Sequence, residues 1–476
     1  MLTADGKICD NGATGYLLYD AQMPLDGVSN LLTTFLGANV ACAQCHDHPL
    51  AEWKQRDFYQ MAAFFGASDG IDEKALNAGK KLAKGKGGAG AGLPKGQVQL
   101  IANANAYRME DTNKQHLVFP KDFKGNDRTV TPGAPVSPTL IMWSKADKMN
   151  PAYRSVNTSN PVQLRVEFAK WMTSPDNPRF AANIANRVWK KVFGLAVQEP
   201  VTDLDDPTKA SNPALLAHLA TVMKAGRFDL REFQRVLFNS VTYQRAASTS
   251  PDLEKPYLFP GPLVRRMSAE QVWDSLMVLS IGPDVDNMIL RRGEDEKLMS
   301  LPGNAMTPEN FKYVIERMQS SGVAMGGGGK KGGGGNQKGL ISEYQGGKPQ
   351  QRYGMILARA SELPQPAPET HFLRLFGQSD RLIADTNTTD GSVPQALMLM
   401  NGGAGQLISE TNCAAVTTAG NAKTDDEKID SLYLSFLGRK TTADERPAAT
   451  KALTTGLGIS DIAWALANTR EFLFIQ

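Results

Sequence analysis

Cysteine is scarce in this chain: four in 476 residues, at Cys9, Cys42, Cys45 and Cys413. So few cannot staple a chain of this length, which excludes a disulfide scaffold. An oxidising compartment would permit a Cys9–Cys413 bridge, but buried, unpaired thiols are the expected state. Long apolar runs are also missing. No stretch reaches the roughly 18 residues that a spanning helix needs, so nothing here is expected to cross a membrane. Charge of one sign is lacking too, with 52 Lys and Arg against 49 Asp and Glu and a net charge of +3. That balance gives no general argument for nucleic acid, a membrane surface or acidic substrates, and no nucleic-acid partner is expected. The local basic excess, "KKLAKGKG" and Lys330-Lys331, sits in glycine-rich stretches and reads as solvated linker. The opening "MLTADGKICDNGATGYLLYD" has neither the basic nor the apolar region of an export signal. Absent as well are G-x-S-x-G, H-E-x-x-H and a Rossmann glycine pattern opening a helix. "AMGGGGKKGGGGNQKG" fails as a phosphate loop because no Ser or Thr follows its lysines.

What is present reads as a mainly α protein of two or three domains. Residues 1–66 form a small helical domain. Asp26 is placed to cap "GVSNLLTTFLG", whose Val28, Leu31, Leu32 and Phe35 recur at helical spacing until Gly37 stops them. Asp57, with Gln60 three residues on, has the form of a capping box for "FYQMAAFFG". Residues 67–160 read as an irregular, partly β connector. It holds a Gly/Lys-rich loop, and "QVQLIANANAYRM" alternates like a strand. Residues 161–476 form a larger all-α domain, interrupted by a flexible glycine-rich insertion at about 323–340. Its helices are punctuated clearly: Asn177-Pro178, Asn212-Pro213, Asp229, Ser268 with Gln271, Thr307-Pro308, and Thr442 with Glu445.

One motif carries chemistry. "CAQCHDHP", residues 42–49, places two thiols three apart with a histidine directly behind, the spacing that attaches a c-type haem. Cys42 and Cys45 would form the thioethers, and His46 would be the axial iron ligand. The sixth ligand stays open among Met61, Met109, His116 and Met142, with Met61 expected to pack its helix. His48 is two residues too close to reach the opposite haem face and reads as a turn residue. The rival is a zinc or iron site on Cys42, Cys45 and His46 or His48, which lacks a second ligand pair at short range. A redox dithiol comes third. Asp203, Asp205 and Asp206 in "DLDDPTKASNP" read as helix-start carboxylates ahead of a calcium or general-base role.

The stretch "FLGANVACAQCHDHPLAEWKQRDFYQMAAFF" resembles the cytochrome-c-like PSCyt family of planctomycetes and verrucomicrobia. "NPRFAANIANRVWKKVFGLAVQEPVTDLDDP", "RRMSAEQVWDSL", "TNTTDGSVPQALMLMNG" and "WALANTREFLF" resemble its usual partner, the PSD domain. Pro49 stands where many relatives carry Lys. The resemblance implies an exported, periplasmic protein with haem at Cys42, Cys45 and His46, serving electron transfer with a redox partner or a redox enzyme. It also implies sequence ahead of Met1, a leader and often another cytochrome domain. Among the positions that recur in the second domain, Arg187, Arg266, Glu270 and Asp274 are polar residues on otherwise apolar helices. They read first as a buried polar network. The sharper reading is a substrate pocket for an anionic ligand or acid–base chemistry, as in a hydrolase acting outside the cell.

Overall fold

The computed structural model describes residues 1–21, 23–84, 93–248, 257–288, 296–321, 351–363, 367–379 and 391–475. The expected glycine-rich insertion at about 323–340 lies outside the described residues, as does the tip of the Gly/Lys-rich loop. About 53% of the chain is helical, with few small strands, so the mainly α reading holds. Among the described residues no helix is long and apolar enough to cross a membrane.

The chain divides into two compact units. The first comprises residues 1–246, 251–262 and 293–330, and the second comprises 247–250, 263–292 and 331–476. This is a different division from the cuts at 66 and 160 drawn on the sequence. The reason is a shared core. Helices α1 (Pro24–Leu36) and α2 (Gln55–Ala62) bury Leu31, Leu36, Phe58 and Met61 in the same cluster as Phe168 and Trp171 of α5 (Leu164–Thr173). Each fully buried side chain of this size contributes on the order of 1.5–3 kcal/mol, so the early helices have little reason to stand alone.

Between them lie α3 (Glu73–Ala83) and α4 (Lys95–Ala106), where the sequence had read loop and strand. "QVQLIANANA" is helical because Val98, Ile101, Ala102 and Asn105 recur on one buried face. The chain turns into a strand just after α4: Tyr107–Asp111 is β3, the centre of a small antiparallel sheet in the order β1 (Gly6–Lys7), β3, β2 (Ser68–Ile71). Arg165 of α5, 1% exposed, grips Asp111 with two bonds of 2.6 and 2.7 Å and donates to the Leu2 and Ala4 carbonyls. A buried guanidinium needs this full set of acceptors.

The unit continues through α6 (Phe180–Phe193), α7 (Pro213–Ala225) and α8 (Leu230–Phe238), punctuated as expected. Asn177 accepts from the Arg179 and Phe180 amides, Asn212 from Leu215, and Asp229 from Arg231 and Glu232. Helix α6 grips the end of α1. Asn183 donates to the Thr34 carbonyl at 2.7 Å, Arg187 to the Thr33 carbonyl at 3.1 Å, and the Leu204 amide reaches the Gly37 carbonyl at 2.7 Å. Gly37 has φ +64°, and a Cβ there would meet Asn183 Oδ1 and Leu204 Cβ at 3.0 Å. Only glycine permits both the left-handed turn and the approach.

The second unit is built around α9 (Ala269–Ile281), which a Ser268–Gln271 capping box opens. Trp273, fully buried, donates to the Ala358 carbonyl at 2.8 Å. Packed about it are α10 (Phe372–Leu375), α11 (Val393–Asn401), α12 (Gly403–Ser409), α13 (Ala414–Gly420), α14 (Asp425–Leu437), α15 (Arg446–Thr454) and α16 (Ile459–Ala467).

Candidate functional site

Past Gly37 the chain buries Ala38 and Val40 and enters a 3-10 turn, Ala41–Gln44, with Ala43 fully buried beneath it. Residues three apart eclipse one another in a 3-10 turn. Burying Ala43 therefore sends Cys42 and Cys45 out together, and both are exposed, free thiols. The turn closes through the Cys45 and His46 amides, which donate to the Cys42 carbonyl at 3.2 and 3.3 Å.

The two histidines are set in opposite tautomers. His46 Nδ1 lies 2.7 Å from the Asp47 carbonyl oxygen, which can only accept, so Nδ1 carries the proton. Its Nε2 then presents a lone pair on an exposed ring. His48 is the reverse: its Nδ1 accepts the Leu50 and Ala51 amides at 3.1 and 2.9 Å, which leaves the proton on Nε2. The His48 amide also donates to the Trp53 carbonyl at 2.8 Å, closing the loop through Pro49. Nε2 ligation with Nδ1–H on a carbonyl is the usual arrangement of a metal-bound imidazole. His46 makes the Nδ1 bond of that arrangement, and His48 is a turn residue.

Asp47 holds the turn in place. Its Oδ1 accepts the Gln55 amide at 3.0 Å and its Oδ2 the Asn126 amide at 3.2 Å. Burial pushes this carboxyl up, but those two N–H groups and the Lys54 ammonium 3.8 Å away outweigh it and hold it below its ordinary value. Helix α2 therefore starts at Gln55, capped from eight residues upstream, and not at the expected Asp57–Gln60 box. Asp57 instead falls inside the first turn.

The Gln55 side chain, 1% exposed, ties three segments together. Its Nε2 donates to the Gln44 carbonyl at 3.3 Å, and its Oε1 accepts the Lys124 and Gly125 amides at 2.8 and 2.9 Å. A Cβ on Gly125 would meet the Phe123 ring at 2.5 Å and Asp47 Oδ1 at 3.2 Å. Arg56 pairs with Asp127 on the same loop. Tyr59, below the turn, has its phenol pushed up by burial and then by the charges of Cys45 and Asp122.

A second layer is aromatic. Trp53 and Trp143 donate their indole N–H groups to the two oxygens of Asp205, at 2.5 and 3.1 Å. Their rings meet edge to face at 6.2 Å, and Trp143 stacks on Trp171 at 6.3 Å. Arg179 lies over Trp143 at 5.2 Å and donates to the Asp205 carbonyl at 2.6 Å. Burial pushes the Asp205 carboxyl up against the pull of both indoles. The three aspartates were expected to serve the helix start at Asn212-Pro213; Asp206 instead caps the 3-10 turn Pro207–Lys209, accepting from the Thr208 amide. Asp203 accepts from the Asp205 amide, while Asp205 anchors the segment that follows the cysteines.

The other candidates fall elsewhere. Met61 is fully buried, and its sulfur accepts the Ile141 amide at 3.3 Å, so it packs its helix as expected. His116 is exposed and meets Thr112 at 3.3 Å. Arg187 lies in the first unit, on the backbone of α1 and of Val201. Arg266, Glu270 and Asp274 lie in the second. Arg266 sits over the Phe376 ring at 5.5 Å, and Glu270 is in the first turn of α9. Asp274 accepts the Ala360 amide at 2.7 Å and faces Arg359 at 3.9 Å. Among the described residues no three His, Cys, Asp or Glu side chains are grouped to hold a metal ion. The turn is therefore no tetrahedral cage as it stands. It presents two exposed thiols and, at His46, an imidazole bonded to the backbone through Nδ1.

The model of the PSD1 family, described as "Protein of unknown function (DUF1553)", matches residues 164–453, more than half of the chain. The model of PSCyt2, "Protein of unknown function (DUF1549)", matches residues 7–69, which include the whole Cys42–His48 turn. No curated protein and no solved structure matches the chain.

Proposed function

For a chain that belongs to the PSD1 family of proteins of unknown function and carries a PSCyt2 match at its N-terminal end, we propose that the Cys42–His46 turn attaches a c-type haem. The observation that carries this reading is the tautomer of His46, read from its Nδ1 bond to the Asp47 carbonyl beside two free, exposed thiols. Cys42 and Cys45 would hold the group by thioethers and His46 Nε2 would ligate its iron. Bound there, the haem would supply one-electron transfer to a redox partner. Asp47 and Gln55 would hold the turn that carries the thiols and the imidazole from behind. Thioether formation of this kind takes place outside the bacterial cytoplasm, so the reading places the protein in the periplasm.

The test is production in a periplasm with a c-type haem maturation system, followed by intact mass and a pyridine haemochrome spectrum. One covalent haem per chain is expected. It should be lost in the Cys42→Ala/Cys45→Ala double variant, and its spectrum should change in His46→Ala. Unmodified mass under those conditions, or stoichiometric zinc in its place, overturns the reading.

A further inference from the structure

The second unit contains a cavity of about 280 Å³ beneath the hairpin formed by β4 (Gln351–Arg352) and β5 (Met355–Ile356). That is near the lower end of ligand-pocket sizes, roughly 300–1,000 Å³, and enough for a single-ring molecule. We propose that this cavity binds a small, uncharged, ring-bearing molecule through one hydrogen-bond acceptor, placed against His371 Nε2. The inference is independent of the haem reading, since it concerns residues of the other unit.

The walls set the ligand class. Met355, Ile356, Leu363 and Met398 supply apolar surface, and among the described residues that line the cavity there is no Lys, Arg, Asp or Glu. The nearby Arg352 cation is taken by Glu410 at 2.5 Å, and Glu410 also accepts the Tyr353 hydroxyl at 2.6 Å. A charged guest would lose its hydration and find no counter-charge.

His371, one of the lining residues, has its donor fixed by its own helix start. His371 Nδ1 accepts the Leu373 amide at 3.2 Å, so the proton is on Nε2, and the ring rests on Trp273 at 5.0 Å between centroids. Burial lowers the basicity of this imidazole and keeps it neutral, a donor at Nε2 and nothing more.

The hairpin is built to close on this space. Tyr353 and Gly354 both take positive φ, +50° and +75°, the tight two-residue turn that matches strand twist. A Cβ on Gly403 would meet Tyr353 Cβ at 2.8 Å and Met355 Cε at 2.9 Å, so glycine there lets the hairpin sit down on α12.

Methyl-labelled full-length protein, titrated with benzamide and separately with benzoate, tests the proposal. The two probes match in size and differ in charge. Benzamide should give saturable shifts at the methyls of Met355, Ile356, Leu363 and Met398, and benzoate should bind at least about tenfold more weakly. His371→Asn keeps the bond to the Leu373 amide, because Asn is a good cap, but cannot reach the cavity. It should weaken benzamide by roughly tenfold. No saturable shift with benzamide, equal binding of benzoate, or unchanged affinity in a folded His371→Asn variant overturns the proposal. The benzamide–benzoate comparison decides the matter even where that variant does not fold.

Discussion

Asp47 occupies the position between the two histidines of "HDH", and the geometry gives it the organising task. It caps α2 through the Gln55 amide, pins the 120–127 loop through Asn126, and lends its carbonyl to His46. Replacing it with Asn leaves one acceptor for two amides, at a cost of about 1–2 kcal/mol. Its pH dependence has a definite sign. The carboxyl sits below its ordinary value in the folded chain, so its contribution is present above the unfolded pKa of about 3.9. It is lost as pH falls through the lower, folded value. The protection of the Gln55 and Asn126 amides relative to the unfolded chain should therefore fall as pH falls through the acid range. Asp47→Asn should exchange faster at neutral pH and lose that dependence. A variant whose exchange still tracks the wild type across this range would remove Asp47 from this role.

At the scale of elements, close approach decides what the hydrophobic pattern leaves ambiguous. A Cβ on Gly79 of α3 would lie 2.2 Å from the Ala102 Cβ of α4. The two helices therefore cross where one of them has no side chain. Gly79→Ala should destabilise the protein by about 1–3 kcal/mol through overpacking, although alanine is the better helix former. Gly79→Ala combined with Ala102→Gly should recover part of that loss in thermal or urea unfolding. Loss without recovery would mean that the contact is not what places the glycine. This pair also shows why the region misleads on sequence. "QVQLIANANAY" alternates well enough to read as a strand, and its helical face becomes apparent only once the distant helix Pro308–Ser320 supplies Phe311, Val314 and Ile315 to the core that Val98, Ile101 and Ala102 join. Caps made by neighbours in sequence were legible, as at Asn212, Asp229 and Ser268. The cap on α2 was not, because Asp47 reaches it across a loop whose shape is set by Trp53, His48 and a distant carboxylate.

At the scale of the molecule, the boundaries of the family matches and those of the compact units do not coincide. The 7–69 match and the first part of the 164–453 match share one core and one carboxylate, Asp205. The motif was legible from the spacing of Cys42, Cys45 and His46, whereas part of its support, Asp205 above all, comes from more than a hundred positions away. Such support has no local signature. The consequence is cooperative. Asp205→Ala leaves the indole N–H groups of Trp53 and Trp143 without their acceptor, at a cost of about 2 kcal/mol or more. If α1, α2 and α6 open as one unit, the most protected amides of all three should lose the same free energy in native-state hydrogen exchange. A loss confined to α1 and α2, with α6 unchanged, would mean that the cysteine-bearing segment opens on its own. Its geometry would then be local, and the hold that α6 has on Gly37 and Thr34 would be incidental to the site. Equal losses would instead make the large helical family part of the scaffold that positions the turn.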